Sequence, residues 1–155
     1  MADPNWDQGL PVTVPAKPRH GYWTKVVDYI DASKRLKFVA QDHRQISAQQ
    51  PGQAPVEVEN KWNYTHDKQC TADGEPTAAV NPANCLLPQA PPGALIAKIG
   101  GSTAGRTDGL QLFVVGSFCV IDFDEKTKGT LYLTMNADPM GSLDRGGELA
   151  VTIYR

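Results

Sequence analysis

The sequence predicts an all-β fold, a jelly-roll-like β-sandwich of two antiparallel sheets. Near the C-terminus, residues 131–135 and 149–153 alternate apolar and polar side chains, the pattern of half-buried strands. The 14 glycines and 12 prolines divide the chain into short apolar runs. Turn signals recur roughly every eight to twelve residues, the spacing of a sandwich or barrel of about seven to nine short strands.

The first part of the chain predicts an extended segment followed by three strands. Residues 1–11 are predicted to be extended, and residues 12–155 to form one domain. The run VTV at 12–14 stands between prolines, which are tolerated on an edge strand because they cannot donate to a sheet ladder. Two longer runs rich in β-branched and aromatic residues, at 22–30 and 35–40, predict further strands joined by a short polar turn.

The middle of the chain has a weak strand pattern, and clear strand patterns resume after it. Residues 41–92 contain only short apolar pieces, but a structureless loop of that length is uncommon in a compact domain. We therefore expect short strands or a helical turn within it. The run at 93–101 predicts a strand with Leu95, Ala97 and Ile99 on one face, and the apolar run at 110–123 is expected to break at Gly116.

Composition limits the classes of partner. The chain has 155 residues, 41% of them hydrophobic, and a formal net charge of -2, which fits one globular domain and gives no electrostatic reason to expect nucleic acid. The chain as given shows no signal-peptide h-region and no run long enough to predict a membrane span. Cys70 and Cys85 are either disulfide-bonded or reduced, and Cys119 is predicted to be a buried free thiol.

The motifs do not predict an enzyme. The sequence has no G-x-S-x-G elbow, P-loop, H-E-x-x-H or C-x-x-C pattern, the usual signatures of nucleophilic, phosphate-handling and metal-dependent catalysis. The glycine-rich loop GGSTAGRTDG at 100–109 contains Arg106 but leads into a predicted strand. It therefore lacks the helix N-terminus that commonly cradles phosphate.

Three aromatic residues alternate in KWNYTHDK. On a strand, Trp62, Tyr64 and His66 would lie on one side of the sheet. Such a row can stack on the apolar face of a sugar or other flat ligand. It is equally typical of the inward face of a sheet, and the sequence leaves both interpretations open.

A family resemblance is carried by GALIAKIG, LFVVG, GTLYLTMNADP and GGELAVTI, all in the second half of the chain. In order and spacing these segments resemble the calcium-dependent galactophilic bacterial lectins of the PA-I type and their galactose-binding-domain-like relatives. The resemblance implies a sandwich of two antiparallel sheets. It also implies a sugar site at the loop before the last strand, and an extracellular or periplasmic location.

The calcium site of these lectins is degraded in this sequence. In the family, an N-D and N-N-x-G pattern supplies the ligands; here Ala137 and Arg145 stand at two of those positions, and Asp144 keeps an oxygen donor. Calcium takes six to eight oxygen ligands, so we expect no cofactor. The weaker alternative is a metal held by Asn136, Asp138 and Asp144.

The resulting prediction is a non-catalytic, lectin-like carbohydrate-binding protein with a degenerate, calcium-free site and a galactose-type sugar as its partner. Because single sugar contacts are weak, avidity favours a homo-oligomer. The alternative is a structural or assembly module that has lost sugar binding. The predicted ligand-binding residues are Asn136, Asp138, Asp144, Arg145, His43 and Asp73.

Overall fold

The chain folds as an all-β protein, which confirms the predicted fold class. A computed structural model describes residues 9–30, 35–46, 51–75, 82–123, 127–139 and 145–155. Across these ranges the regular structure is twelve β-strands and one short 3₁₀ helix. The predicted turn at 31–34 and the loop residues 140–144, including Asp144, lie outside the described residues.

The strands are short, as the turn spacing predicted. In chain order they are β1 (Leu10–Pro15), β2 (Thr24–Ile30), β3 (Arg35–Val39), β4 (His43–Ile46), β5 (Val56–Glu59), β6 (Trp62–Thr65), β7 (Lys68–Cys70), β8 (Leu95–Ile99), β9 (Gln111–Val114), β10 (Phe118–Asp122), β11 (Gly129–Met135) and β12 (Glu148–Tyr154), with the 3₁₀ helix η1 (Pro82–Asn84) between β7 and β8.

Two four-stranded antiparallel sheets face each other. The first sheet has the order β1-β12-β3-β10, and the second has the order β2-β11-β8-β9. The last two strands, β11 and β12, therefore belong to opposite sheets. The VTV run lies within β1, an edge strand as predicted, which begins at Leu10.

Alternation along the strands builds the core between the sheets. Leu95, Ala97 and Ile99 of β8 share one buried face, as predicted. They pack with Leu131, Leu133 and Met135 of β11 and with the buried residues of β12. Burial alternates along β12, as predicted, whereas residues 131–135 are all buried, which corrects the half-buried strand predicted there. The outward-facing Tyr132 is covered by a second apolar cluster. Because both sheets contribute to one continuous apolar cluster, burial of that cluster holds the sandwich closed.

The middle of the chain contains short strands and a helical turn, as expected. Strands β4 and β5 form one antiparallel pair, and β6 and β7 form another. Asn60, between β5 and β6, is buried; its Nδ2 donates to Gln41 O at 2.8 Å and to Ala150 O at 2.9 Å. These bonds attach the short pairs to the first sheet.

A second apolar cluster covers the outer face of the second sheet. Trp23, Ile96 and Tyr132 lie on that face, and Leu86 and Ala90 of the 82–92 segment pack onto them. The glycine-rich loop at 100–109 covers the neighbouring part, because Trp23 and Tyr132 also hydrogen-bond to its backbone. Two irregular segments thus meet outside the second sheet. In the described residues, no helix is long and apolar enough to cross a membrane.

Candidate functional site

An open cavity lies where these two segments meet the end of β11. It has a volume of about 510 Å³ and is open to solvent. We call it the Arg106 cavity. Its lining residues are Ala83, Asn84, Cys85, Leu86, Arg106, Thr107, Asp138 and Pro139.

The backbone of Arg106 is fixed while its side chain remains exposed. Trp23 Nε1 donates a hydrogen bond to Arg106 O at 2.9 Å, and Tyr22 N donates to Thr103 O at 2.7 Å. The guanidinium carbon lies 5.3 Å from the centre of the Tyr22 ring, within the range of a cation–π contact. The cavity therefore holds an oriented guanidinium group.

A buried lysine fixes the glycine-rich loop from below. Lys98, on the outer face of β8, is 0% exposed. Its Nζ donates to Ser102 O at 2.6 Å, to Gly105 O at 3.1 Å and to Asp108 Oδ1 at 2.8 Å. All three protons of the ammonium group are used, as a buried charge requires.

Aromatic rings and a carboxylate balance this buried charge. Lys98 Nζ lies 4.8 Å from the Trp23 ring centre and 4.9 Å from that of Tyr132. Burial lowers the pKa of Lys98, while the hydrogen bond and charge of Asp108 oppose that change. The same hydrogen bond lowers the pKa of Asp108. The loop that carries Arg106 is thereby tied to the sheet as one unit.

Asn136 is buried and serves the fold. Its side chain is 0% exposed, and Nδ2 faces the carbonyl oxygens of Leu87, Ala90 and Pro91 at 2.9, 3.1 and 3.1 Å. Leu87 N donates to Asn136 Oδ1 at 2.9 Å. The amide therefore holds the 87–91 backbone to the end of β11, and its ligand-binding role stays a prediction.

Asp138 and Arg145 lie together. Both line a small enclosed space of about 10 Å³ beside Tyr64 and Asn136, about enough for one water molecule. Burial lowers the pKa of Arg145, and the charge of Asp138 opposes that change. Asp138 also lines the Arg106 cavity, so it is the predicted site residue that reaches the larger space.

His43 and Asp73 lie elsewhere. His43, at the start of β4, lines a separate shallow cavity of about 260 Å³ on the outer face of the first sheet. Asp73 accepts hydrogen bonds from Ser117 N at 2.8 Å and Ser117 Oγ at 2.9 Å. It caps the turn at Gly116, whose φ of +67° explains the predicted break there. The structure does not join these two residues to Asp138.

The alternating aromatic row is divided between core and surface. Trp62 is fully buried, and its Nε1 donates to Gly93 O at 2.8 Å. Tyr64 is half-buried, and His66 lies exposed in the turn after β6. Trp62 therefore packs as an inward-facing residue.

All three cysteines are free, with Cys70 and Cys85 buried and Cys119 half-buried.

The described residues do not fit a calcium ion. Asn136 Oδ1 is held by Leu87 N, Ala137 has no side-chain donor, and Arg145 places a cation beside Asp138. Calcium requires several further oxygen ligands. Among the residues described, no group of three or more His, Cys, Asp or Glu side chains converges.

The cavity residues that sequence reasoning missed are Arg106, Thr107 and Asn84. The signal for Arg106 was its position as the one basic residue of the glycine-rich segment at 100–109. That loop was considered only for phosphate binding at a helix. In the structure the loop is held against the second sheet by the buried Lys98, and the sequence pattern does not reveal this contact.

Comparison of the chain with protein-family models, with curated proteins and with solved structures finds no match.

Proposed function

We propose that the protein is a non-catalytic carbohydrate-binding module and that the Arg106 cavity is its sugar site. The observation that carries this proposal is the open cavity of about 510 Å³ lined by an amide, a hydroxyl, a carboxylate and a guanidinium. Its volume falls in the usual range of small-ligand sites. The resemblance of the C-terminal segments to galactophilic lectins supports the same class of ligand.

The polar groups suit sugar hydroxyls. Each hydroxyl both donates and accepts a hydrogen bond, and the Asn84 amide, the Thr107 hydroxyl and the Asp138 carboxylate together offer both kinds of partner. Asn84 and Thr107 are exposed, so a ligand can reach them without displacing core residues. Leu86 adds apolar surface at the base of the cavity, against which a pyranose ring can pack.

A glycan array followed by calorimetric titration with the best saccharide tests the proposal. Thr107→Val removes a hydroxyl at nearly constant shape and should weaken binding by about tenfold, the effect of one lost hydrogen bond. Thr13→Val is the matched control, since Thr13 is exposed and lines the His43 cavity instead.

Three results would contradict the proposal. They are no binding to any glycan, equal binding by wild type and Thr107→Val, or weakened binding by Thr13→Val alone. The titration is repeated with a chelator, and we expect no change in affinity because the described residues do not fit calcium.

A second candidate function, a structural or assembly module, is favoured by one surface. Strands β9 and β10 are edge strands of the two sheets, and Val114, Phe118 and Val120 are 46%, 63% and 42% exposed. Unprotected apolar edge strands pair readily with other strands. Sedimentation velocity tests this function: self-association abolished by Val120→Lys, together with no glycan binding, would establish it over sugar binding.

A further inference from the structure

The charges in the Arg106 cavity narrow the class of ligand. In the described part of the chain, the contact made by the Arg106 side chain is with the Tyr22 ring, and no carboxylate forms an ion pair with it. The carboxylate nearest to it in sequence, Asp108, is engaged by Lys98 Nζ and by Ser102, whose N and Oγ donate at 3.1 and 3.3 Å. The guanidinium is therefore available to a ligand.

The other charge of the cavity is already balanced. Asp138 lines the cavity and lies beside Arg145, whose pKa it raises against the effect of burial. Two guanidinium groups thus stand near one carboxylate. Among the residues that the structure describes around the cavity, the surplus charge is positive, and it belongs to Arg106, whose side chain lines the open space.

Resting on the function proposed above, we infer that the preferred ligand is an acidic saccharide with a singly charged carboxylate, a uronic acid. Arg106 binds the carboxylate, while Asn84 and Thr107 bind ring hydroxyls. The planar guanidinium matches a carboxylate through two parallel N–H···O bonds. Its stacking on Tyr22 leaves its N–H edge available and reduces the freedom lost on binding.

The presence of Asp138 argues against a more highly charged group. A phosphate monoester carries close to two negative charges at neutral pH. A second anion in the same cavity repels it more strongly than a singly charged carboxylate. The site therefore favours a carboxylate over a phosphorylated sugar.

The test compares three forms of one sugar by calorimetric titration: galacturonic acid, its uncharged methyl ester, and galactose. We expect the acid to bind at least about tenfold more tightly than the ester, as for a charge-assisted hydrogen-bonded pair. Raised salt should reduce this preference. Arg106→Gln should abolish the preference for the acid over the ester. Arg155→Gln, an equal loss of charge near Tyr29 at the far end of the sandwich, should preserve it.

The outcomes separate this inference from the proposed function. Equal affinity for acid and ester, with Thr107→Val still weakening both, overturns the acidic-sugar inference and leaves sugar binding standing. Acetate or inorganic phosphate binding as tightly as galacturonate shows a simple anion site and overturns both proposals. Absence of binding by every saccharide also overturns both.

Discussion

Asn136→Asp is the sharpest test of how the end of the sandwich is held together. The substitution keeps the size and shape of the side chain but replaces the Nδ2 donor by an oxygen. That oxygen would face the carbonyl oxygens of Leu87, Ala90 and Pro91, which Nδ2 now approaches at 2.9 to 3.1 Å. A favourable set of contacts becomes a repulsive one inside a site that is 0% exposed.

The size of the effect follows from the hydrogen bonds lost. The amide has two protons, so two of the three carbonyls lose a donor, at about 1–3 kcal/mol for each buried unsatisfied group. We expect Asn136→Asp to lower the free energy of unfolding by about 4 kcal/mol. Asn136→Ala, which also leaves Leu87 N without its acceptor, should lower it by about 3 kcal/mol.

Urea unfolding followed by tryptophan fluorescence measures both effects. Asn84→Asp is the matched control, because Asn84 is exposed and the same change there should alter stability by at most about 0.5 kcal/mol. An Asn136→Asp variant within about 1 kcal/mol of wild type would refute the reasoning.

Three further predictions concern the Thr134 hydroxyl, the Asp108 carboxylate and the Cys70 thiol. Thr134 is 0% exposed and its Oγ1 has no hydrogen-bond partner within the described chain, so Thr134→Val should raise the urea midpoint, by about 1 kcal/mol in stability; a lower midpoint would show an overlooked partner. The Lys98 hydrogen bond holds the pKa of Asp108 below its ordinary value of 3.8 in the folded protein. The stability that this bond contributes is therefore complete above pH 3.8 and is lost as the pH falls through the lower pKa of the folded state. Asp108→Asn should reduce the loss of stability in acid, and an unchanged profile of stability against pH would contradict the role of this bond. Burial raises the pKa of Cys70 to about 11, so the Cys70 thiol should not react with Ellman's reagent at pH 8 in the folded protein. In the protein unfolded without reductant, three thiols should react. Reaction of one thiol would instead show a Cys70–Cys85 disulfide.

The sequence predicted the parts of this fold that depend on alternation. Leu131, Leu133 and Met135 are buried because their spacing places them on one side of a strand, and no tertiary knowledge is needed for that. The break at Gly116 was predictable for the same local reason. The edge position of β1 followed from its prolines.

Side chains at the site could not be placed in this way. In the sequence, a buried asparagine that holds the backbone cannot be told from one that binds a ligand. The hydrogen bonds of Asn136 to the 87–91 backbone become visible only in the structure. His43 and Asp138 are separated by loops whose path depends on long-range contacts. Arg106 lines the cavity because Lys98 holds its loop against the sheet. Periodicity alone places Lys98 on an outward face and does not show that it is buried.

The tie between Lys98 and the glycine-rich loop has a kinetic consequence. Lifting the loop would strip the ammonium group of its three acceptors at once, so opening should be rare and the empty cavity should already have its bound shape. Association would then proceed by simple docking, with little reordering of the protein. The Ser102 and Gly105 amides, which donate to Asp108 Oδ2 and Ser102 Oγ, should exchange at the same rate with and without sugar.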